Sequence, residues 1–196
     1  ENPSVFIYEL LELASGGGTQ GDPAKDMESL AKAYLGQDSS YLEKLEPGSA
    51  AGVEKLHKRI VEGLQQKLAK DYLTDLTQGQ RRRLAEAMMQ AIKRVDVRAK
   101  TLHKEGEWAD VEMSVSVIEP FSQKEQDVVR KRVPPGASWK EALAIFVDEM
   151  VSRLEWKQPS GTKTFQVKCV YYSPWRVWMP VELPKFIHVL LTSPLR

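Results

Sequence analysis

An α+β fold is predicted for this 196-residue chain from three observations. Helical periodicity fills the chain up to about Arg94. A two-residue period replaces it over Val95–Lys100 and Ala109–Val117. A second two-residue pattern follows a capped amphipathic helix towards the end. Helices and strands segregated in this way suit an antiparallel sheet made of two hairpins, Arg94–Pro120 and Lys163–Glu182, with a helix between them. The expected architecture is N-terminal helices packed on a four-stranded antiparallel sheet.

Pro3 suits a first helical turn, and Phe6, Leu10 and Leu13 recur at helical spacing until Gly16, Gly17 and Gly18 stop the pattern. Residues 1–20 therefore read as a helix and a glycine linker ahead of a single domain over 21–196. Asp22 and Pro23 resemble an N-cap and a first-turn proline, and Met27, Leu30, Ala31 and Tyr34 line one face up to Gly36. Tyr41, Leu42 and Leu45 suggest a brief helical turn, and Pro47–Gly52 reads as a loop. Val53, Leu56, Ile60, Leu64, Leu68 and Tyr72 then form the longest helical stripe. Thr77 with Gln80 is a capping-box pattern opening a helix with apolar Leu84, Met88 and Ile92.

In the first hairpin Val95, Val97 and Ala99 alternate with charged residues, Lys104–Glu107 turns the chain, and Ala109, Val111, Met113, Val115 and Val117 all point one way. Helices should cover that side. Ser138 with Glu141 starts another capped helix, striped by Leu143, Phe146, Val147, Met150 and Leu154. In the second hairpin Phe165, Val167, Cys169 and Tyr171 alternate with polar positions, a turn falls near Ser173–Pro174, and Trp175, Val177, Met179 and Val181 return. Pro180 marks an edge strand or a strand end, and Pro184 opens a short helix through Phe186, Ile187, Leu190 and Leu191.

Lys and Arg total 28 against 27 Asp and Glu, so the net charge of +1 provides no global field for nucleic acid or an anionic membrane. The densest basic cluster, Arg81–Arg83, together with Lys124 and Arg130–Arg132, lacks interleaved aromatics and is balanced by acidic neighbours. Cys169 is the only cysteine, which removes any intrachain disulfide or zinc knuckle. It lies on the apolar side of its strand, where a free cysteine behaves as a small hydrophobe rather than a nucleophile. His57, His103 and His188 show no metal-ligand spacing, Gly16–Gly18 lacks the surroundings of a phosphate loop, and no carboxylates are paired for acid–base work. No catalytic residue, metal site or cofactor is thus assigned.

One cluster points to binding. With regular register, Lys168, Tyr172, Arg176 and Trp178 project from the sheet face opposite the apolar stripe, and tryptophan and arginine together are typical of binding hot spots. Ordinary burial under a terminal helix is the competing reading of the same face.

From Asp22 onward the chain resembles the cystatin-like or NTF2-like domains of uncharacterised bacterial extracytoplasmic lipoproteins. The likeness is carried by the Asp22–Pro23 helix ending in Tyr34-Leu35-Gly36-Gln37-Asp38, the strand Ala109–Val115, the helix before the last hairpin, and Trp178-Met179-Pro180-Val181 before a short terminal helix. The resemblance implies a curved antiparallel sheet with helices on its concave face, tethered outside the membrane by a lipidated cysteine upstream of Glu1. It implies no enzyme activity, since the acidic or histidine residues that active NTF2-like members carry inside the cone have no match here. The expected function is an extracytoplasmic, non-enzymatic binding or accessory domain with a protein or small-molecule partner. The alternatives are a small-molecule pocket protein or enzyme of the NTF2-like kind, and a module that self-associates through exposed sheet edges.

Overall fold

The computed structural model describes residues 21–45, 49–70, 75–119 and 123–194. The predicted first helix, the glycine run and Tyr72 lie outside the described residues. The elements follow the order α1 (Pro23–Tyr34), α2 (Ser40–Leu45), α3 (Ser49–Lys70), α4 (Gln78–Ile92), β1 (Val97–Glu105), β2 (Trp108–Ser116), α5 (Gln123–Arg132), α6 (Trp139–Trp156), β3 (Thr162–Tyr172), β4 (Val177–Pro180) and α7 (Leu183–Thr192). They fall into two compact units. The first is built from the segment up to Ala50 with Asp96–Val115 and Thr162–Ser193, the second from Ala51–Val95, Ser116–Gly161 and Pro194 onward.

In the first unit, helix α1 starts where predicted. Asp22 is extended, its carboxylate accepts the Ala24 N–H at 3.0 Å, and Pro23 occupies the first helical position, where its missing N–H is not needed. Gly36, at φ 75°, follows the helix in the left-handed region that glycine adopts without a Cβ penalty. Met27, Leu30, Ala31 and Ala33 are fully buried. The sheet order is β1-β2-β3-β4, helices pack against it, and it is antiparallel and curved. Strand β1 pairs β2 from Val97↔Val115 to Glu105↔Trp108. The turn is therefore only Gly106 and Glu107, tighter than the predicted Lys104–Glu107, with Gly106 at φ 55°. The register shifts between Thr101 and His103, and His103 lies within the strand. Ala109, Val111, Met113 and Val115 are buried and their neighbours are not, as the alternation required.

Because the sheet curves, α1 touches both outer strands, β1 and β4. At β1 the Thr101 hydroxyl donates to Asp22 at 3.1 Å and accepts the Ala24 N–H at 3.3 Å. At β4 the Asp26 carboxylate accepts the Trp178 backbone N–H at 2.9 Å, and the Trp178 indole N–H donates to the Gly21 carbonyl at 3.0 Å. The Trp178 ring is fully buried, 5.5 Å from the Tyr171 ring and with the Lys104 ammonium 5.1 Å from its centroid.

In the second unit both predicted capping boxes form. Thr77 and Gln80 exchange bonds at the start of α4, as do Ser138 and Glu141 at the start of α6. The two helices pack on one another. Leu84, Ile92, Leu143, Val147 and Leu154 are buried as the stripes predict, while Met88, Phe146 and Met150 are half-buried. Arg83 meets Asp148 at 2.9 Å, and Arg94 donates to the carbonyls of Leu154 and Glu155 in the last turn of α6. Glu125 of α5 holds both Arg153 at 2.6 Å and Lys157 at 3.0 Å.

Two elements differ from expectation. Helix α3 begins at Ser49 instead of after Gly52. The Ala50–Ala51 pair favours helix, and one glycine within it costs only about 1 kcal/mol. Helix α5 was not anticipated, because Val128 and Val129 are the only apolar residues in ten and no stripe can form.

Burial raises the carboxyl pKa of Asp26 despite the bond from Trp178, with the Asp22 charge adding to the rise. The folded state therefore binds this proton more tightly than the unfolded chain. Ionisation of Asp26 works against folding at neutral pH, and that cost fades as pH falls through the folded-state pKa. D26N, which keeps an oxygen for the Trp178 N–H, is expected to match or exceed the wild type in urea midpoint at pH 7 and to lose any advantage near pH 4. D26A leaves that N–H unpaired and should lose about 1–3 kcal/mol. Urea titration followed by tryptophan fluorescence at both pH values checks the pair of variants.

Candidate functional site

Strand β4 opposes only part of β3. The pairs are Cys169↔Pro180, Val170↔Met179, Tyr171↔Trp178 and Tyr172↔Val177, and the last bond runs from the Val181 N–H to the Lys168 carbonyl at 2.9 Å. Pro180 ends the strand, and α7 starts three residues later with Pro184 in its first turn. Its N-cap residue, Glu182, makes no side-chain cap and instead pairs with Lys185 at 2.8 Å. The helix buries Phe186, Leu190 and Leu191.

An open groove of about 540 Å³ separates β3 from α7. Phe165 and Val167 of β3 and Phe186 and Val189 of α7 provide its apolar surface, and the two phenylalanine rings sit 6.5 Å apart. Lys168, Asp110, Glu182 and Lys185 supply charge. Lys168 is exposed and makes no ion pair among the described residues, whereas Asp110 is half-buried beside Cys169. Apolar walls with a few charged groups form a surface that can hold an amphipathic ligand.

The four residues predicted to share one face are divided by the structure. Lys168 lies in the groove. Tyr172 is half-buried and packs edge-on against Trp175 with ring centres 4.8 Å apart. Arg176 is exposed in the same turn, in the left-handed region at φ 54°. Trp178 is buried on the opposite face beside Tyr171. The cause is the turn. Residues 173–176 fill it, an even number, so an even-numbered residue of β3 faces an odd-numbered one of β4, and Tyr172 pairs with Val177 instead of Trp178. Phe165, Phe186, Glu182 and Lys185 were not among the predicted site residues. The signal available in sequence was Pro180, which shortens β4 and uncovers half of β3.

Arg81–Arg83 and the three histidines do not line the groove. Arg81 donates to the Leu76 carbonyl at 3.0 Å and Arg82 pairs with Glu86 at 2.8 Å, so together with the Arg83–Asp148 pair each arginine of the cluster has a partner. His57, His103 and His188 lie on α3, β1 and α7, and among the described residues no group of three or more metal-ligating side chains forms. In the second unit an apolar hollow of about 310 Å³ is lined by Val129, Val133, Leu143, Phe146 and the exposed Trp139, with Arg130 at its border.

The geometry defines an α+β domain whose helices pack on a curved four-stranded antiparallel sheet, with an open groove beside its third strand. The fold is similar to that of a solved protein named as a "putative lipoprotein (YcdA)" from Bacillus subtilis subsp. subtilis str. 168. The match has a TM-score of 0.60 and 16% sequence identity, and covers 90% of this chain and 56% of that one. The chain thus spans little more than half the length of that relative. No family model matches the chain, and no curated protein matches it.

Cys169 is buried, and its thiol pKa is pushed up to about 12 by that burial, with the charges of Asp110 and Asp26 adding to the rise. The folded protein is therefore expected to react with a disulfide reagent at pH 8 at least about a hundredfold more slowly than the urea-unfolded chain. Timed absorbance of the released thiolate measures both rates.

Proposed function

We propose that this chain is the extracytoplasmic, non-enzymatic binding or accessory domain of a bacterial lipoprotein, of the cystatin-like or NTF2-like kind. The observation that carries the reading is the fold shared with the Bacillus protein over 90% of this chain. The groove beside β3 provides the place for a partner, with Lys168 as its free charge and Phe165 and Phe186 as its apolar contacts. Tyr172, Trp175 and Arg176, gathered at the β3–β4 turn, add an exposed aromatic and basic rim. Trp178 supports that surface from the opposite side of the sheet and does not touch the partner.

The space between α1 and the sheet favours binding over catalysis. Met27, Leu30, Val97, Val111, Met113, Cys169, Tyr171 and Trp178 occupy it, each 4% exposed or less. An NTF2-like enzyme places its ionisable residues in that same space.

Fractionation of cells carrying the full-length gene tests the reading. The product is expected in the membrane fraction, cleaved by protease added outside protoplasts, and retained as a larger precursor when lipoprotein signal peptidase is inhibited. Recovery in the cytosol, protected from external protease, overturns it.

A further inference from the structure

We propose that the end of the sheet carrying both hairpin turns rests on a lipid bilayer, with Trp108, Tyr172 and Trp175 as its interfacial contacts. This rests on the lipoprotein reading above and adds how the tethered domain stands on its membrane.

The two turns, Gly106–Glu107 and residues 173–176, lie side by side, because the Tyr171 N–H bonds to the Glu107 carbonyl at 2.8 Å. Trp108 follows the first turn directly and Tyr172 precedes the second. Side chains alternate between faces along a strand. The neighbours Ala109 and Tyr171 are buried, so Trp108 and Tyr172 both point to the opposite, outer face of the sheet. Trp175, within the second turn, packs edge-on against Tyr172 with ring centres 4.8 Å apart. Trp108 is 50% exposed and Trp175 44%, whereas Trp178, the remaining tryptophan of this unit, is fully buried.

Clustered exposed aromatics mark a contact surface. Indole and phenol, each apolar in body and polar at one tip, favour the boundary between lipid tails and water. The charged residues in and beside the two turns are Lys104, Glu105, Glu107 and Arg176, two of each sign. Charge therefore selects neither an anionic nor a cationic surface, and the aromatic rings alone set the chemistry of the occupant.

The point where the polypeptide enters the unit favours lipid over another aromatic-binding partner. The Gly21 carbonyl accepts both the Trp178 indole N–H at 3.0 Å and the Lys104 ammonium at 3.4 Å. Lys104 lies two residues before one turn and Trp178 two residues after the other, so the chain joins the sheet at its turn end. A lipid anchor upstream of Glu1 pulls this same end to the bilayer and keeps it there at high effective concentration, where a contact that is weak in free solution suffices. The groove lies further along β3, around Phe165–Lys168, and stays open to a partner.

Cys169 is buried, so a cysteine added ahead of Glu1 is a selective site for coupling the chain to a maleimide lipid in phosphatidylcholine vesicles. Tryptophan emission is then compared between plain vesicles and vesicles whose acyl chains carry bromine near the headgroup. Brominated lipid is expected to quench the wild type, and the quenched fraction should persist in about 1 M salt. W108F/W175F, changed at exposed side chains, should lose the quenching, and W139F/W156F, changed in the second unit, should keep it. The proposal is overturned if brominated lipid quenches nothing, if salt abolishes the quenching, or if W108F/W175F retains it. A chain that fractionates with the membrane yet is not quenched fails this proposal and leaves the lipoprotein reading intact, whereas recovery in the cytosol overturns that reading whatever the vesicles show.

Discussion

The bond from the Trp178 N–H to the Asp26 carboxylate is the constraint on which the first unit depends. A curved sheet leaves both of its outer strands within reach of the helix it wraps, and α1 uses both. Asp22 and Thr101 fasten its N-terminal end to β1, while Asp26 and the Gly21 carbonyl fasten its first turns to β4. Without the β4 attachment, the Trp178 ring would lose the partner of its indole N–H and β4 would regain an unpaired edge. One carboxylate thus serves both helix docking and edge protection. Its partial desolvation accompanies that double role, and the raised pKas of Asp26 and of the adjacent Tyr41 hydroxyl reflect a site kept short of water.

Strand length explains the groove. Strand β3 has eleven residues and β4 only four, so the sheet is narrower at one end than at the other. Helix α7 runs on from the short strand but does not close over the long one, and the groove is what remains. The apolar interior of the unit lies between the sheet and α1, and the buried Val167 and Phe186 belong both to that core and to the wall of the groove.

Much of the fold was legible because its signals are local. The Asp22–Pro23 start, the Thr77–Gln80 and Ser138–Glu141 boxes, and the Ala109–Val115 alternation each depend on residues within a few positions of one another. What was hidden depends on register or on distant partners. The face of Trp178 is set by the number of residues in a turn, and its acceptors lie on a helix far earlier in the chain. Helix α5 is held by contacts such as Glu125 with Arg153 and Lys157, and its own composition does not announce it. Lys168 was recognisable as a charge on the polar face of its strand, whereas the groove around it depends on Pro180 ending the neighbouring strand.

The first unit is also discontinuous along the chain, its three parts separated by two of the three segments of the second. Asp26 and Trp178 stand 152 residues apart in sequence. During synthesis, α1 leaves the ribosome long before the strand that completes its hydrogen bonds. At about 5–20 residues per second the wait is on the order of ten seconds or more, during which the apolar face of Met27, Leu30 and Ala31 has at most the β1–β2 hairpin to meet. Closure of this unit is therefore a late, high-contact-order event that waits for β4 and α7.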